Sequence, residues 1–255
     1  MSDNHGRPVI VTGGASGIGA AISRALARQG YDVGIFDLDI ANATKVAAEA
    51  CQFENGKAHP YQVDITNYEA VADAAAKFEA ASGPLYGLVN NAGWEKAVPF
   101  VNTDAALWQR LININLYGPL NVTHVALRSL IKAGRGGRVI SIASDAGRIG
   151  SSGEAVYSAC KGGTVSFMKT LARENSRHGI TFNSVCPGPT NTPLLQEITA
   201  GGGEKLIEGI KRGIPLGRLA EPEDYPGIIL FLLSDEGSYV TGQTISVSGG
   251  LTMHG

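Results

Sequence analysis

The feature that most limits how this chain can fold is a glycine-rich segment near its start. Residues 8–12 form a short apolar run that predicts a buried strand, and residues 13–19 follow it as Gly-Gly-Ala-Ser-Gly-Ile-Gly. An amphipathic helix then runs to Gly30, and a second strand at residues 32–36 closes on Asp37. Glycines let the backbone approach a pyrophosphate, and free N–H groups at a helix start attract its charge, so this βαβ unit predicts a dinucleotide site. The predicted contacts are Gly13, Ser16, Gly17, Ile18 and Gly19.

Asp37 indicates which dinucleotide is bound. A carboxylate at the end of the second strand can accept hydrogen bonds from both ribose hydroxyls, and it repels a 2′-phosphate. Neither Ser16 nor its neighbour Leu38, a further predicted contact, carries a cation that would offset the repulsion. The pattern therefore favours NAD over NADP as cofactor. The alternative interpretation is that Asp37 only caps the following helix.

Two later predicted strands also end in residues that suit a ligand crevice. The strand at 58–63 ends in Asp64 and Ile65, with Asp64 placed to bond an adenine amino group or to cap a turn. Thr66 and Glu69 predict a capping box for the next helix. The strand at 85–89 runs into small residues that permit close approach to a ligand or form a plain turn. They are Asn91, Ala92 and Gly93.

Composition excludes several other classes of protein. The net charge is −2 over 255 residues, without a run of like charges, which argues against nucleic acid or a membrane surface as partner. No apolar run approaches the ~18 residues of a membrane span, and the polar N-terminus does not resemble a signal peptide. Three cysteines without paired spacing and five scattered histidines predict no metal site. We therefore expect a cytoplasmic protein.

Tyr157 and Lys161 are the strongest candidates for chemistry. Four residues apart, they lie one helical turn apart on the same face. A phenol has an ordinary pKa near ~10, and a fixed ammonium beside it favours the phenolate. The pair therefore predicts a tyrosine whose pKa is lowered towards neutrality so that it can transfer a proton.

Taken in order along the chain, these motifs resemble the short-chain dehydrogenase/reductase family. The resemblance rests on residues 12–19, 90–93, 113–115, Ser144, Tyr157 with Lys161, and 187–192. It implies a single α/β domain over residues 1–255. Its fold would be a doubly wound (Rossmann), mostly seven-stranded parallel sheet with helices on both faces. It also implies a homotetramer.

The resemblance further implies an NAD-dependent enzyme acting on a small-molecule alcohol or ketone, with four catalytic residues. Tyr157 would transfer the proton, and Ser144, thirteen residues before it, would hold the substrate oxygen. Lys161 would bond the nicotinamide ribose. Asn115 would lie at an irregularity in a long helix at about 103–133, where its backbone helps hold a water. Nicotinamide contacts are implied for Pro187, Gly188, Thr190 and Thr192.

A substrate lid is predicted at about residues 193–214. Three glycines at 201–203 interrupt an amphipathic stretch, which indicates either a mobile lid or an ordinary helical hairpin. By resemblance, the substrate pocket is lined by apolar residues in addition to Ser144 and Tyr157. They are Trp94, Ile149, Pro189, Leu194, Leu195 and Ile198.

The substrate is the least constrained property. Four stretches, at 143–146, 150–157, 186–190 and 246–253, resemble family members that oxidise a cyclic 2-hydroxyacyl-CoA thioester, although Asn191 replaces an expected aspartate. Four cations near the lid, Lys205, Lys211, Arg212 and Arg218, suit the negative charges of coenzyme A or form a solvated face. The alternatives are a free cyclic or aryl secondary alcohol, a 3-oxoacyl carrier-protein thioester and, outside enzymes, an NAD-sensing regulator.

Overall fold

Seven parallel strands form one sheet in the order β3-β2-β1-β4-β5-β6-β7. The computed structural model describes residues 6–199 and 203–253, and the side chains among them outside 197–206. The chain starts in the middle of the sheet, builds outward to β3, and then crosses to the other side of β1, which is the doubly wound (Rossmann) arrangement that the sequence predicts. The strands are β1 (Pro8–Thr12), β2 (Asp32–Asp37), β3 (Lys57–Gln62), β4 (Gly87–Asn90), β5 (Gly137–Ile142), β6 (Ile180–Pro187) and β7 (Thr244–Val247).

Helices cover both faces of this sheet. They are α1 (Gly17–Arg28), α2 (Ile40–Ala50), α3 (Tyr68–Ser82), α4 (Ala105–Ile112), α5 (Gly118–Ala133), α6 (Ala146–Ile149), α7 (Ala155–Glu174), α8 (Pro193–Thr199), α9 (Gly203–Gly213) and α10 (Pro226–Leu233). Val9 and Val11 of β1 pack in one core cluster with α1, α2 and α10, whereas Ile10 packs in a second cluster with α3, α5 and α7. This alternation is the period-two pattern of a strand buried on both sides. None of the helices in the described part of the chain is long and apolar enough to cross a membrane.

The long helix predicted at 103–133 is two helices joined by a π-helical segment. Helix α4 ends at Ile112, residues Asn113–Tyr117 are π-helical, and α5 follows at once. One extra residue in a helical turn shifts the following side chains around the axis, and such segments are frequent at functional sites. The irregularity expected at Asn115 is therefore present.

One predicted helix start is wrong. Asn67, not Thr66, is the N-cap of α3, because the Thr66 hydroxyl donates to Asp64 at 2.7 Å and the Asn67 side chain accepts from the Ala70 N–H at 3.1 Å. Near the end of the chain, a 3₁₀ turn that starts at Pro222 precedes α10, which starts at Pro226. Proline fixes φ without requiring an N–H partner, and therefore suits the first turn of each.

The predicted lid segment contains α8 and α9. Gly201 and Gly202, on which the mobile-lid prediction depends, lie outside the described residues, as do the side chains of Ile198 and Lys205. The described part of the segment is helical on both sides of that gap.

Candidate active site

A cavity of about 810 Å³ opens at the carboxyl edge of the sheet. Its walls include the residues that follow five strands, which is where ligands bind in open parallel sheets. Most of the predicted site residues line it: Gly13, Ser16, Gly17, Ile18, Asp37, Leu38, Asp64, Ile65, Asn91, Ala92, Gly93, Trp94, Ser144, Ile149, Tyr157, Lys161, Pro187, Gly188, Pro189, Thr190, Thr192, Leu194 and Leu195. Gly19 and Asn115 are buried outside this lining, and Ile198 lies among the side chains that are not described.

The glycine-rich turn is built by close backbone contacts. Gly13 has φ +61°, and a Cβ placed on it would lie 2.8 Å from Ala92 Cα. A Cβ on Gly19 would lie 2.0 Å from the Gly13 oxygen, so Gly19 holds the turn together rather than lining the cavity. The Ser16 side chain makes no capping hydrogen bond to the first turn of α1. The N–H groups there are left for a ligand, which fits a dinucleotide pyrophosphate.

Asp37 is held at the end of β2 by two backbone groups. Its Oδ2 accepts from the Ala15 N–H and its Oδ1 from the Asp39 N–H, each at 3.0 Å. The carboxylate is thereby fixed at the cavity wall. The alternative that Asp37 caps the next helix is wrong, because Asp39 is the N-cap of α2 and accepts from the Asn42 N–H at 3.0 Å.

Asp64 and Asn91 are both occupied by local hydrogen bonds. Asp64 is exposed and accepts from the N–H and hydroxyl of Thr66 through one oxygen. The Asn91 amide donates to the backbone oxygens of Thr12 and Gly13 at 3.1 and 3.0 Å. Asn91 therefore ties the end of β4 to the glycine-rich turn, and its side chain shapes the cavity through that turn.

Asn115 connects the π-helical segment to the cavity wall. Its side chain is fully buried, its Oδ1 accepts from the Trp94 N–H at 3.2 Å, and its Nδ2 donates to the Trp94 oxygen at 2.7 Å. Nδ2 also donates to the Leu111 oxygen at 3.0 Å. The Asn115 amide thus holds the backbone of Trp94 and Leu111, and the water expected at the Asn115 backbone stays a prediction.

Ser144, Tyr157 and Lys161 meet in the cavity. Ser144 follows β5, and its hydroxyl lies beside the Tyr157 phenol, where it opposes the rise of the phenol pKa. Helix α7 carries Tyr157 and Lys161 one turn apart. The Lys161 ammonium lies 5.5 Å from the centre of the Tyr157 ring and donates to the Ile142 oxygen at 3.0 Å. The structure therefore brings together the hydroxyl, phenol and ammonium that the sequence predicts.

The charges around Tyr157 differ from the prediction. Burial raises the pKa of Tyr157 above its ordinary value, the carboxyls of Glu95 and Glu154 raise it further, and the neighbouring Ser144 hydroxyl opposes them. Burial also lowers the pKa of Lys161 to about 8. The prediction that the pKa of Tyr157 is lowered towards neutrality is therefore wrong, because burial and two carboxyls raise it.

Three acidic residues near the catalytic group were not predicted. Glu95 and Glu154 line the cavity beside Tyr157, and Asp145 is only 4% exposed directly after Ser144. Asp145 hydrogen-bonds the Ser246 hydroxyl, which also accepts from the Arg148 guanidinium at 2.8 Å. This network ties the loop after β5 to β7. The sequence offered one indication of Glu95 and Glu154, their positions close to predicted site residues. Glu95 lies two residues after the Asn-Asn-Ala-Gly segment, and Glu154 precedes Tyr157 by three residues.

The threonines predicted to contact nicotinamide are held by other groups of the protein. The Thr190 hydroxyl lies 2.6 Å from the Tyr225 hydroxyl, and Thr192 Oγ1 accepts from the Leu195 N–H at 3.3 Å. Thr190 thus ties the loop after β6 to Tyr225, and Thr192 stabilises the start of α8. The Arg110 guanidinium stacks 3.8 Å from the centre of the Trp94 ring and supports the substrate wall.

Comparison with known proteins agrees with this geometry. Residues 13–252 match the family described as Enoyl-(Acyl carrier protein) reductase. The chain is 42% identical to acetoacetyl-CoA reductase of Shinella zoogloeoides, over 96% of this chain and 98% of the relative. It is 36% identical to 3-oxoacyl-[acyl-carrier-protein] reductase of Thermotoga maritima, over 98% and 99% of the two chains. A crystal structure of a short-chain type dehydrogenase/reductase from Mycobacterium marinum superposes with a TM-score of 0.91 at 30% identity, covering 98% and 97%. The chain therefore belongs to the short-chain dehydrogenase/reductase family, and it is an oxidoreductase acting on CH–OH or keto groups.

Proposed function

We propose that this protein is an NAD-dependent dehydrogenase that interconverts the secondary alcohol and the ketone of an acyl thioester. The observation that carries the proposal is that Ser144, Tyr157 and Lys161 line one cavity. Asp37, at the end of β2, lines the other end of the same cavity. The relatives named as acetoacetyl-CoA and 3-oxoacyl carrier-protein reductases support a thioester substrate.

The chemistry of the site is proton transfer at the substrate oxygen. Bound NAD would accept or supply the hydride. Ser144 holds the oxygen, and Tyr157 takes the hydroxyl proton as the carbon loses hydride, or returns a proton to the oxygen when the carbon gains hydride. Lys161 holds the ribose and keeps positive charge beside the phenol. The raised pKa of Tyr157 leaves the phenol protonated at neutral pH, which suits proton donation during ketone reduction.

The choice of NAD over NADP rests on Asp37. Its carboxylate is fixed by two N–H groups and faces the cavity, so a 2′-phosphate there meets a like charge. Among the described residues that line the cavity, the cations are Lys161 and Arg110. Lys161 donates to the Ile142 oxygen and Arg110 stacks on the Trp94 ring. Neither cation is held at Asp37, so neither offsets this repulsion.

The finer proposal for the substrate is a cyclic 2-hydroxyacyl-CoA. It rests on the four stretches noted above, which resemble 2-hydroxycyclohexanecarboxyl-CoA dehydrogenase, and on apolar wall residues such as Trp94 and Ile149. The lid cations give it little support. Lys211 pairs with Glu208 at 2.9 Å and Arg218 pairs with Asp224 at 2.6 Å, as a solvated face does.

The second candidate is reduction of a straight-chain 3-oxoacyl thioester, carried by coenzyme A or by a carrier protein. The names of the relatives favour it, among them the human (3R)-3-hydroxyacyl-CoA dehydrogenase at 34% identity over 96% of this chain and 95% of that protein. The third candidate substrate is a free cyclic or aryl secondary alcohol. The NAD-sensing regulator is not proposed, because the relatives are enzymes and all four catalytic residues are present.

The test is NADH absorbance with a matched panel. It comprises acetoacetyl-CoA, 2-oxocyclohexanecarboxyl-CoA, a 3-oxoacyl carrier-protein thioester and cyclohexanone, each measured with NADH and with NADPH. We expect turnover of at least one thioester and a higher kcat/KM with NADH. Absence of turnover on every thioester, together with tight NADH binding, would overturn the proposal.

We extend the proposal to assembly and location. We expect one domain, a homotetramer and a cytoplasmic enzyme without nucleic-acid or membrane partners. Light scattering at micromolar concentration tests the assembly. Phe100 and Val101, which are 56% and 87% exposed, are apolar side chains that a subunit contact would cover.

A further inference from the structure

Two carboxyl groups that the proposed reaction does not use lie beside its catalytic tyrosine. We propose that Glu95 and Glu154 form a proton-sharing pair that excludes substrates with a free carboxylate near the reacting carbon. The pair would thereby select a thioester, or another neutral acyl derivative, over the free oxo acid. This inference rests on the proposed function, because it concerns the substrate of that same site.

The backbone brings these two side chains together from separate segments. Glu95 follows Trp94, whose N–H and oxygen are both held by the Asn115 side chain. Glu154 is the N-cap residue of α7, yet its side chain makes no capping hydrogen bond. Its carboxyl instead lies beside the carboxyl of Glu95, where the Val98 N–H donates to the Gly153 oxygen at 2.9 Å and holds the two segments together. Both residues line the cavity that contains Ser144 and Tyr157.

Two carboxyl groups that lie side by side share a proton more readily than they both ionise. Ionising both places like charges close together, and burial makes this more costly. Accordingly, burial and the neighbouring Glu154 together raise the pKa of Glu95 to about 8. The pair therefore carries one proton and one negative charge at neutral pH. Glu95 Oε1 is inaccessible to solvent and has no hydrogen-bond partner within the described structure.

The pair lies close to the reacting atoms. It raises the pKa of Tyr157 through its charge, and the substrate oxygen must contact both Tyr157 and Ser144. In a 2- or 3-oxo acid the carboxylate is one or two carbons from the ketone. It would therefore fall near the ~4–6 Å range over which neighbouring charges act on each other. A thioester is uncharged at that position, and its phosphates lie at the far end of a long arm.

The other charges around Glu95 do not cancel this repulsion. Lys161 faces Glu95 and lowers its pKa, but its ammonium is bound to the Ile142 oxygen. Arg110 stacks on the Trp94 ring. A neighbouring cavity of about 670 Å³ brings Lys96 and Asp104, which have opposite charges, to the other side of Glu95. Among the described residues, Tyr157 also faces the pair, and its raised pKa keeps it neutral at pH 7.

The experiment compares two ketones with the same 3-oxobutanoyl group, the uncharged ester methyl acetoacetate and the acetoacetate anion. The ratio of their kcat/KM values is measured with NADH for the wild type, E95Q, E154Q and the double variant. Where the free acid is too slow, its inhibition constant against acetoacetyl-CoA replaces its kcat/KM. Glu69→Gln, an exposed residue on α3, is the matched control. NADH binding by fluorescence establishes that each variant is folded.

We expect the ester-to-acid ratio to fall roughly tenfold or more in the double variant, because like charges across a binding site are strongly unfavourable. In the wild type the ratio should also rise between pH 7 and 9, as Glu95 loses its proton near pH 8 and the pair gains a second negative charge. This rise should be absent in E95Q. A merely structural role would not produce that pH difference.

The outcomes separate the two proposals. If the wild type reduces acetoacetyl-CoA but the ratio is the same in the wild type and all variants, the carboxyl pair is not a specificity element and the proposed function stands. If the wild type binds NADH and reduces no thioester, the proposed function fails and this inference fails with it.

Discussion

The two ends of the cavity are lined by different kinds of chemical group. At the nucleotide end, glycines, N–H groups and one carboxylate fixed by backbone form the wall. The wall of the substrate end includes four ionisable side chains, those of Glu95, Glu154, Tyr157 and Lys161. Burial shifts the pKa values of Glu95, Tyr157 and Lys161. The nucleotide end should therefore respond to changes in shape and little to pH, whereas the substrate end should respond strongly to pH.

The largest expected effect is at the substrate end. Tyr157→Phe keeps the ring and removes the proton, so we expect kcat to fall by about 10²–10⁴-fold, the usual contribution of general acid–base catalysis. NADH affinity should stay within a few-fold, because the nucleotide end is unchanged. Stopped-flow absorbance and fluorescence titration measure the two quantities. Tyr239→Phe, at a fully exposed tyrosine, is the control. Turnover near the wild-type rate in Tyr157→Phe would contradict the proton-transfer role.

The next effect tests shape at the nucleotide end. Gly19→Ala places a Cβ 2.0 Å from the Gly13 oxygen, so the turn must move. We expect a loss of about 1–3 kcal/mol in the free energy of unfolding, as for other overpacked sites, and weaker NADH binding. Gly227→Ala in α10, where a Cβ meets nothing within 4 Å, is the matched control and should be neutral or slightly stabilising. Denaturant titration measures both; equal stabilities would show that the turn tolerates the change.

A smaller effect tests the Asp37 charge at the nucleotide end. Asp37→Ala removes the acceptor for the ribose hydroxyls. We expect NAD to bind about 10- to 100-fold more weakly, from the loss of hydrogen bonds to a charged group. The preference against NADP should relax, because the like charge is gone. Dissociation constants for NADH and NADPH measure this change. If unmodified protein already prefers NADPH, the proposed role of Asp37 is wrong.

The smallest effect concerns pH. Because the pKa of Lys161 is lowered to about 8, its ammonium is present below that pH and is lost above it. We expect kcat/KM for ketone reduction to be level at pH 6–7 and to fall about tenfold per pH unit above ~8. Glu95 titrates in the same range, so the E95Q profile separates the two groups. A fall that disappears in E95Q would assign it to Glu95. NADH affinity should change little over this range.

The sequence predicted the nucleotide end of the cavity better than the substrate end. The strands and the glycine-rich turn depend on local apolar runs and backbone freedom, so β1 begins and ends where predicted. The cap of α3 was misassigned because Asp64 competes for the Thr66 hydroxyl. The comparison with relatives supported the family and the chemistry but not the particular cyclic substrate that the local resemblance suggested.

The acidic pair and the raised tyrosine pKa could not be predicted in this way. Glu95 and Glu154 are 59 positions apart, and nothing in their local sequences shows that their carboxyls meet. Helical spacing correctly placed Lys161 near Tyr157, but spacing contains no information on burial. Burial is the largest cause of the shift at both residues, and it depends on how the loop after β4 packs on α7.

The π-helical turn at Asn113–Tyr117 has a consequence for engineering. Through the Asn115 amide it fixes the backbone of Trp94, and the neighbouring Glu95 takes its position from that anchor. Moving the 94–97 loop of this protein into another enzyme would therefore leave the graft without its support unless the bulged turn moved with it. Deleting one residue of the bulge would restore a regular helix, rotate the amide away from the loop, and alter substrate choice without touching a single residue that contacts the substrate.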